Sequence, residues 1–385
     1  MPFSDVAVSK EFSFLCACGS VELTAEHIAR VAHWNDGGID WPEFLRLAEH
    51  HGVLPLVARN LTAHAQELPT DVDQSLRSEF AKNLRRNLWF ASELVRILEY
   101  FKQKDLRAIP YKGPVLAESA YGDVALRNFG DLDFLIFSSD FERAKHALAE
   151  LGYRPSKPLS PAVERYWLRN GYECSFDGAA GKYLIELQWG LLPYFYAVDL
   201  RTDDLLVRSG SIMFSGREVA ALSPEDSLLV LCLHAAKHLW MRMIWVCDIA
   251  ETIRTQVLDW NVIRARAREL GILRIVGVSF WLSQRLLGSV LPDPANEIVN
   301  QDQEVAALGE QFATRLAASA TYDFESTEYF RLILRLRERR SDQARYLWRL
   351  LWTPGEGDLA AIRLPEAMFP LYRGVRAVRL LGKLF

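Results

Sequence analysis

The 385-residue sequence predicts an α+β fold: a small mixed β-sheet core flanked by N-terminal and C-terminal helical regions. Two observations carry this. Apolar residues recur at three- and four-residue steps up to about residue 105 and again from Ser223 onward, which is the helical period. Between these stretches the chain breaks into short β-rich runs punctuated by glycine turns. The expected organisation is residues 1–105 helical, 106–222 a mixed α/β core and 223–385 helical.

Each element has a local reason. Trp41-Pro42-Glu43 opens a helix with proline in its first turn, followed by Phe44, Leu45, Leu47 and Ala48. A longer helix is expected from Asp71 to Lys104, with Leu84, Leu88, Phe90/Ala91, Leu94/Val95 and Leu98 as its apolar stripe. Ala108 to Tyr111 is extended, Val115 to Tyr121 helical, and Gly122 to Gly130 a loop. Asp131 to Phe137 is a strand. A helix from Asp140 to Leu151 follows the capping candidates Ser138 and Ser139. Tyr172 to Phe176 and Lys182 to Trp189 form two strands joined by the turn Asp177 to Gly181, and Ser211 to Leu222 a hairpin around Ser215-Gly216. Ser223-Pro224-Glu225-Asp226 is a helix start: a cap, then proline, then acids in the first turn.

Composition narrows the class. Twenty Phe, 13 Tyr and 11 Trp are too many for a disordered chain. A formal net charge of −4 argues against bulk electrostatic binding to nucleic acid, although a local basic groove would survive it. The five cysteines are odd in number and contain no C-x-x-C, which suits a reducing cytoplasm better than a disulfide framework or a thiolate zinc site. MPFSDVAVSKEF does not read as a signal peptide, and no transmembrane segment is expected. G-x-G-x-x-G, G-x-x-x-x-G-K-[ST] and G-x-S-x-G are all missing.

The chemistry gathers between residues 112 and 186. Asp131 and Asp133, two apart on a strand, project from one face, while Leu132, Phe134 and Ile136 supply the opposite one. Adjacent carboxylates repel, and a hard divalent ion relieves that repulsion. Glu186 sits amid apolar residues on a later strand and joins the pair if the two strands are neighbours. Three such acids make a two-metal site, with Mg2+ expected and Mn2+ as the alternative. Lys112 and Arg127 are suitable cations for phosphate oxygens, and Gly113 would let the backbone approach them closely.

YKGPVLAESAYGDVALRNFGDLDFLI, followed some 50 residues later by LIELQW, resembles the nucleotidyltransferase superfamily related to DNA polymerase β. Within it, the sequence is most similar to the bacterial family labelled "uncharacterised nucleotidyltransferase", a likeness that takes in LHAAKHLWMRMIWVCDIA and covers roughly residues 40 to 300. The resemblance implies a nucleotidyltransferase core, with Asp131, Asp133 and Glu186 as catalytic metal ligands and Glu186 assisting deprotonation of the acceptor. The superfamily at large carries Gly-Ser ahead of its Asp pair, where this chain reads Lys112-Gly113-Pro114. Family members often stand in bacterial gene clusters for peptide or polysaccharide products.

His234, His238, Met241/Arg242, Trp245 and Asp248 share one helix face if no break intervenes. Three readings are open: a zinc site built on the two histidines and Asp248, a polar helix face paired within the core, or a second wall of the active site. In the last, which the resemblance favours, His234, Lys237, His238 and Arg242 would meet nucleotide phosphates or acceptor and Asp248 would orient one of them. The final residues carry Arg373, Arg376, Arg379 and Lys383 beside Val375, Val378, Leu380, Leu381 and Leu384, a basic amphipathic pattern suited to weak contact with a membrane or a partner.

The expected function is Mg2+-dependent transfer of a nucleotidyl group from an NTP to a hydroxyl or phosphate acceptor, whether peptide, saccharide, small molecule or RNA. The alternatives are a catalytically silent nucleotide-binding or scaffold protein of a biosynthetic cluster, and a tRNA-modifying nucleotidyltransferase toxin.

Overall fold

A computed structural model describes residues 8–34, 38–65, 67–178 and 184–382. Its architecture is the expected α+β one. Five strands, β1 (Ala108–Pro110), β2 (Asp131–Ile136), β3 (Arg154–Pro155), β4 (Glu173–Asp177) and β5 (Leu184–Gln188), form one sheet in the order β1-β2-β5-β4-β3. β2 and β5 run parallel and the other pairs antiparallel, so the sheet is mixed. The expected hairpin is present as β6 (Gly210–Phe214) and β7 (Arg217–Ala221). Of the predicted Asp177–Gly181 turn and its following strand, residues 179–183 lie outside the described residues, as does the stretch 1–7 of the signal-peptide reading.

Alternation on β2 decides which way the sheet faces. Leu132, Phe134 and Ile136 are buried in a cluster with Phe101, Phe141 and Leu148, from the helices Thr70–Gln103 and Phe141–Glu150. The opposite face buries Leu135 with Ile109 and Val230 and carries the acids. Ser138 and Ser139 do not cap by side chain. They belong to a single 3-10 turn, Ser138–Asp140, which feeds the helix directly.

The long helix Thr70–Gln103 differs from expectation in its buried stripe. Leu88 is exposed, while Asn83 and Asn87 are buried between Leu76 and Phe90. Their amides explain the exchange. Asn83 Nδ2 donates to the Ala125 carbonyl at 2.8 Å, and Asn87 Nδ2 to those of Val124 and Arg127 at 2.7 and 2.8 Å. Three loop carbonyls are thereby satisfied by two side chains that hydrophobic periodicity passes over.

The helical stretches on either side of the sheet meet in one apolar cluster running from Phe12 to Leu350. Polar bonds tie the same ends together: Val21 N–H to Glu251 at 2.8 Å and the Cys247 thiol to the Gly19 carbonyl at 3.0 Å. All five cysteines are free.

Ser223 caps the helix Pro224–Lys237 by accepting the Asp226 N–H at 3.1 Å. That helix then stops. Leu239 and Trp240 both take φ of +49°, and a new helix runs Met243–Thr255. Left-handed backbone is costly for such residues, and here it accompanies complete burial of the Trp240 ring. The expected unbroken face from His234 to Asp248 is therefore interrupted.

No helix among the described residues is long and apolar enough to cross a membrane. The C-terminal helix Tyr372–Gly382 is docked on its own chain. Arg376 is buried, donates to the Leu350 carbonyl and pairs with Asp358, while Arg379 pairs with Asp358 and Glu325. Two of the four cations expected to face a membrane or partner are thus spent internally; Lys383, with Leu384, lies outside the described residues.

Candidate active site

Because β2 and β5 are parallel neighbours, Asp133 stands directly opposite Glu186, with Asp131 on the same face. β4 adds Glu173 opposite Gln188. These side chains form one wall of a cavity of about 540 Å3. The facing wall comes from the interrupted helix pair: His234, Lys237, His238, Arg242 and Trp245. Of the readings open for the histidine segment, the one in which it lines the same cavity as the acids agrees with this arrangement. The segment reaches the cavity across a break between two helices, not along one helix.

The acids are linked by a short network. Lys112 Nζ lies 2.9 Å from Asp133 Oδ1, with the Lys112 side chain 9% and that of Asp133 0% exposed. Gln188 Nε2 donates to Asp133 Oδ1 at 3.1 Å and to Glu186 Oε2 at 2.9 Å. The Tyr111 hydroxyl donates to Gln188 Oε1 at 2.6 Å, which turns the amide nitrogen toward both acids. Asp133 Oδ2 is buried without a hydrogen-bond partner. Burial, followed by the charge of Asp133, raises the Asp131 carboxyl above its ordinary range. Burial, then Asp133 and Glu173, pushes Glu186 up to about 8. Burial disfavours the Lys112 ammonium, yet Asp133, Tyr111, Asp131 and Glu186 together outweigh it and hold the proton well above the usual lysine value.

The other predicted residues fall as follows. Arg127 lines the cavity, but its guanidinium is taken up by Asp248: Nε to Oδ1 at 2.7 Å and a terminal nitrogen to Oδ2 at 2.9 Å. Asp248 therefore orients Arg127, and Tyr121 through a 2.7 Å bond, instead of a histidine or Lys237. Gly113 serves the fold. Its φ is +56°, and a Cβ there would sit 3.2 Å from the Asp131 carbonyl oxygen, so it allows a close approach to β2.

His234 and His238 are neighbours, ring centroids 4.9 Å apart, and His238 stacks on Trp245 at 4.9 Å. Burial, reinforced by nearby Lys112 and Lys237, pushes both imidazoles well below their usual range, so they are neutral at pH 7. Burial also lowers Lys237, whose Nζ lies 3.4 Å from the Tyr172 hydroxyl and 4.0 Å from Glu173. Arg242 is exposed at the cavity edge.

Sequence reasoning missed Gln188, Tyr111, Tyr172 and Glu173. Gln188 was legible, since it follows Glu186 by two on a strand. Phe324 and Tyr329, which also line the cavity, had no local signal.

The donor set has the chemistry a divalent ion needs. Asp131, Asp133 and Glu186 offer only oxygens, as a hard ion requires, and Asp133 Oδ2 is an orphan. The donors fit. In the present arrangement, among the described residues, no three His, Cys, Asp or Glu side chains are gathered as one ligand group. The Lys112 ammonium and Gln188 amide stand against Asp133 instead.

Residues 37–288 match the family described as uncharacterised nucleotidyltransferase. No curated protein and no solved structure matches the chain.

Proposed function

The chain belongs to the uncharacterised nucleotidyltransferase family, and from that premise we propose that it moves a nucleotidyl group from an NTP to a hydroxyl or phosphate acceptor, with Mg2+ as cofactor and Mn2+ able to replace it. The observation that carries this reading is the register that sets Asp133 opposite Glu186, with Asp131 beside them, on the wall of a cavity whose far side is cationic.

In the reaction, an acceptor oxygen attacks the α-phosphorus, the bond to pyrophosphate breaks, and an acceptor hydroxyl loses its proton. Asp131, Asp133 and Glu186 would hold the ion, which when bound would neutralise charge on the triphosphate and acidify the acceptor hydroxyl. Glu186 assists deprotonation of the acceptor. Lys237 and Arg242 face phosphate oxygens from the other wall, and the neutral His234 and His238 each offer one N–H. Arg127, already bidentate with Asp248, shapes the wall instead of gripping phosphate. Trp245 and Phe324 exclude water from the acceptor side.

A second reading, a silent nucleotide-binding or scaffold protein, draws support from one observation: Lys112 already pairs with Asp133. Calorimetry with Mg2+ and each non-hydrolysable NTP separates the possibilities, comparing wild type with Asp131→Ala/Asp133→Ala. Binding that needs both Mg2+ and the two aspartates supports a metal-dependent donor site, and release of pyrophosphate with an acceptor then marks the enzyme. No binding by folded wild type sinks the donor-site reading.

A further inference from the structure

We propose that Lys112 occupies one of the two cation positions that the sequence predicts, so that the chain takes a single divalent ion instead of two. The inference rests on the metal-dependent reading above and fixes its ion count.

Three observations converge. First, the Lys112 ammonium is not a surface charge that happens to reach an acid. It lies 2.9 Å from Asp133 Oδ1, both side chains are buried, and it sits over the Tyr111 ring at 5.1 Å from the centroid. Its backbone is set by the neighbouring Gly113, which takes φ +56° and starts the helix Gly113–Tyr121 against the Asp131 carbonyl. Swinging Lys112 away would leave the enclosed Asp133 with Gln188 as its only donor among the described residues.

Second, the charges balance with one ion. Asp131, Asp133 and Glu186 carry three negative charges when ionised, and the Lys112 ammonium offsets one. Two remain, which one divalent ion neutralises. Before a nucleotide brings its own negative charge, a second ion would place excess positive charge in a buried site, beside an ammonium it would repel.

Third, few carboxylate oxygens are left for an ion. Asp133 Oδ1 is taken by Lys112 and Gln188, while Asp133 Oδ2 has no partner. Asp131 and Glu186 stand beside it on the same face, with Glu186 Oε2 already accepting from Gln188. A fixed ammonium then does what an ion between Asp133 and the substrate would do, supplying positive charge without needing to be bound.

The test counts ions. Mn2+ is titrated into the full chain, with free Mn2+ followed by electron paramagnetic resonance, for wild type and Lys112→Met. The expected result is one ion per wild-type chain with an uncoupled spectrum, and two per Lys112→Met chain with the exchange broadening of neighbouring ions. Two ions in wild type overturn the inference but leave metal-dependent transfer standing. One ion in folded Lys112→Met, with affinity unchanged, overturns it equally. No ion in folded wild type up to millimolar Mn2+ overturns both. Should Lys112→Met fail to fold, the wild-type count and its spectrum decide alone.

Discussion

Arg127 and Asp248, 121 positions apart, meet side-on in a bidentate pair whose side chains are 6% and 2% exposed. The pair fastens the loop ahead of β2 to the helix Met243–Thr255, and so holds the two cavity walls at a fixed distance. Removing one partner strands the other charge in a buried place, which typically costs about 3–5 kcal/mol. Asp248→Ala is therefore expected to lose stability on that scale in urea unfolding, and Arg127→Met/Asp248→Leu to recover most of it. Simple additivity of the single losses would show that the pair is not coupled.

His51 should govern part of the acid sensitivity. Both of its ring nitrogens are buried without partners, Phe12 packs edge-on at 5.6 Å, and burial lowers the imidazole from 6.5 to about 3. A base whose folded pKa is depressed stabilises the fold fully above its unfolded pKa, and that contribution drains away as pH falls from 6.5 toward 3. Between pH 7 and pH 5 wild type should lose about 2 kcal/mol more than His51→Leu, at roughly 1.4 kcal/mol per proton and pH unit. Equal losses in denaturant titrations at the two pH values would refute this assignment.

Glu186 sets an opposite dependence. Its folded pKa of about 8 exceeds the ordinary 4.5, so the ion-free fold is favoured by the bound proton below 4.5 and loses that advantage as pH rises through 8. A divalent ion must displace the same proton. Mn2+ affinity should therefore climb by up to about tenfold per pH unit from 6 to 8 and flatten above. In Glu186→Gln the affinity should be lower and this part of the pH dependence lost. A wild-type affinity that does not change between pH 6 and 8 counts against a proton at this position.

Gly113 and Gly122 offer a matched comparison. Both have positive φ, +56° and +73°, but a Cβ at Gly122 meets open space whereas one at Gly113 reaches the Asp131 carbonyl at 3.2 Å. Gly122→Ala should cost about 1 kcal/mol for the backbone conformation alone. Gly113→Ala should cost more and also weaken Mn2+ binding, because relief of the contact displaces the strand end carrying Asp131. Equal shifts in melting temperature would show that the contact is relaxed at no cost.

Much of the architecture is written locally. The alternation from Leu132 to Ile136 specified both faces of β2, and Ser223 capped where its side chain chemistry said it would. Glu186 was placed by the expectation that its strand neighbours β2, which the parallel register provides. What escaped depends on distant parts of the chain. No spacing encodes that Arg127 finds Asp248 in place of a nearer acid. Asn83 and Asn87 read as interruptions of an apolar stripe because their partners are carbonyls of a loop some 40 residues on. Leu239 and Trp240 have ordinary helix-compatible side chains, yet tertiary burial of the Trp240 ring coincides with left-handed backbone at both.

The bond from Val21 to Glu251 spans 230 positions, and its consequence lies in the order of synthesis. At about 5–20 residues per second, the first helices leave the ribosome roughly 10–50 s before the partner that covers them exists. During that interval the apolar faces around Phe12, Phe44 and Leu56 have one another but lack their later partners, and closing so long a loop is intrinsically slow. Part of the N-terminal apolar surface thus stays open until Glu251 has been made, and the yield of folded chain should respond to the speed of translation.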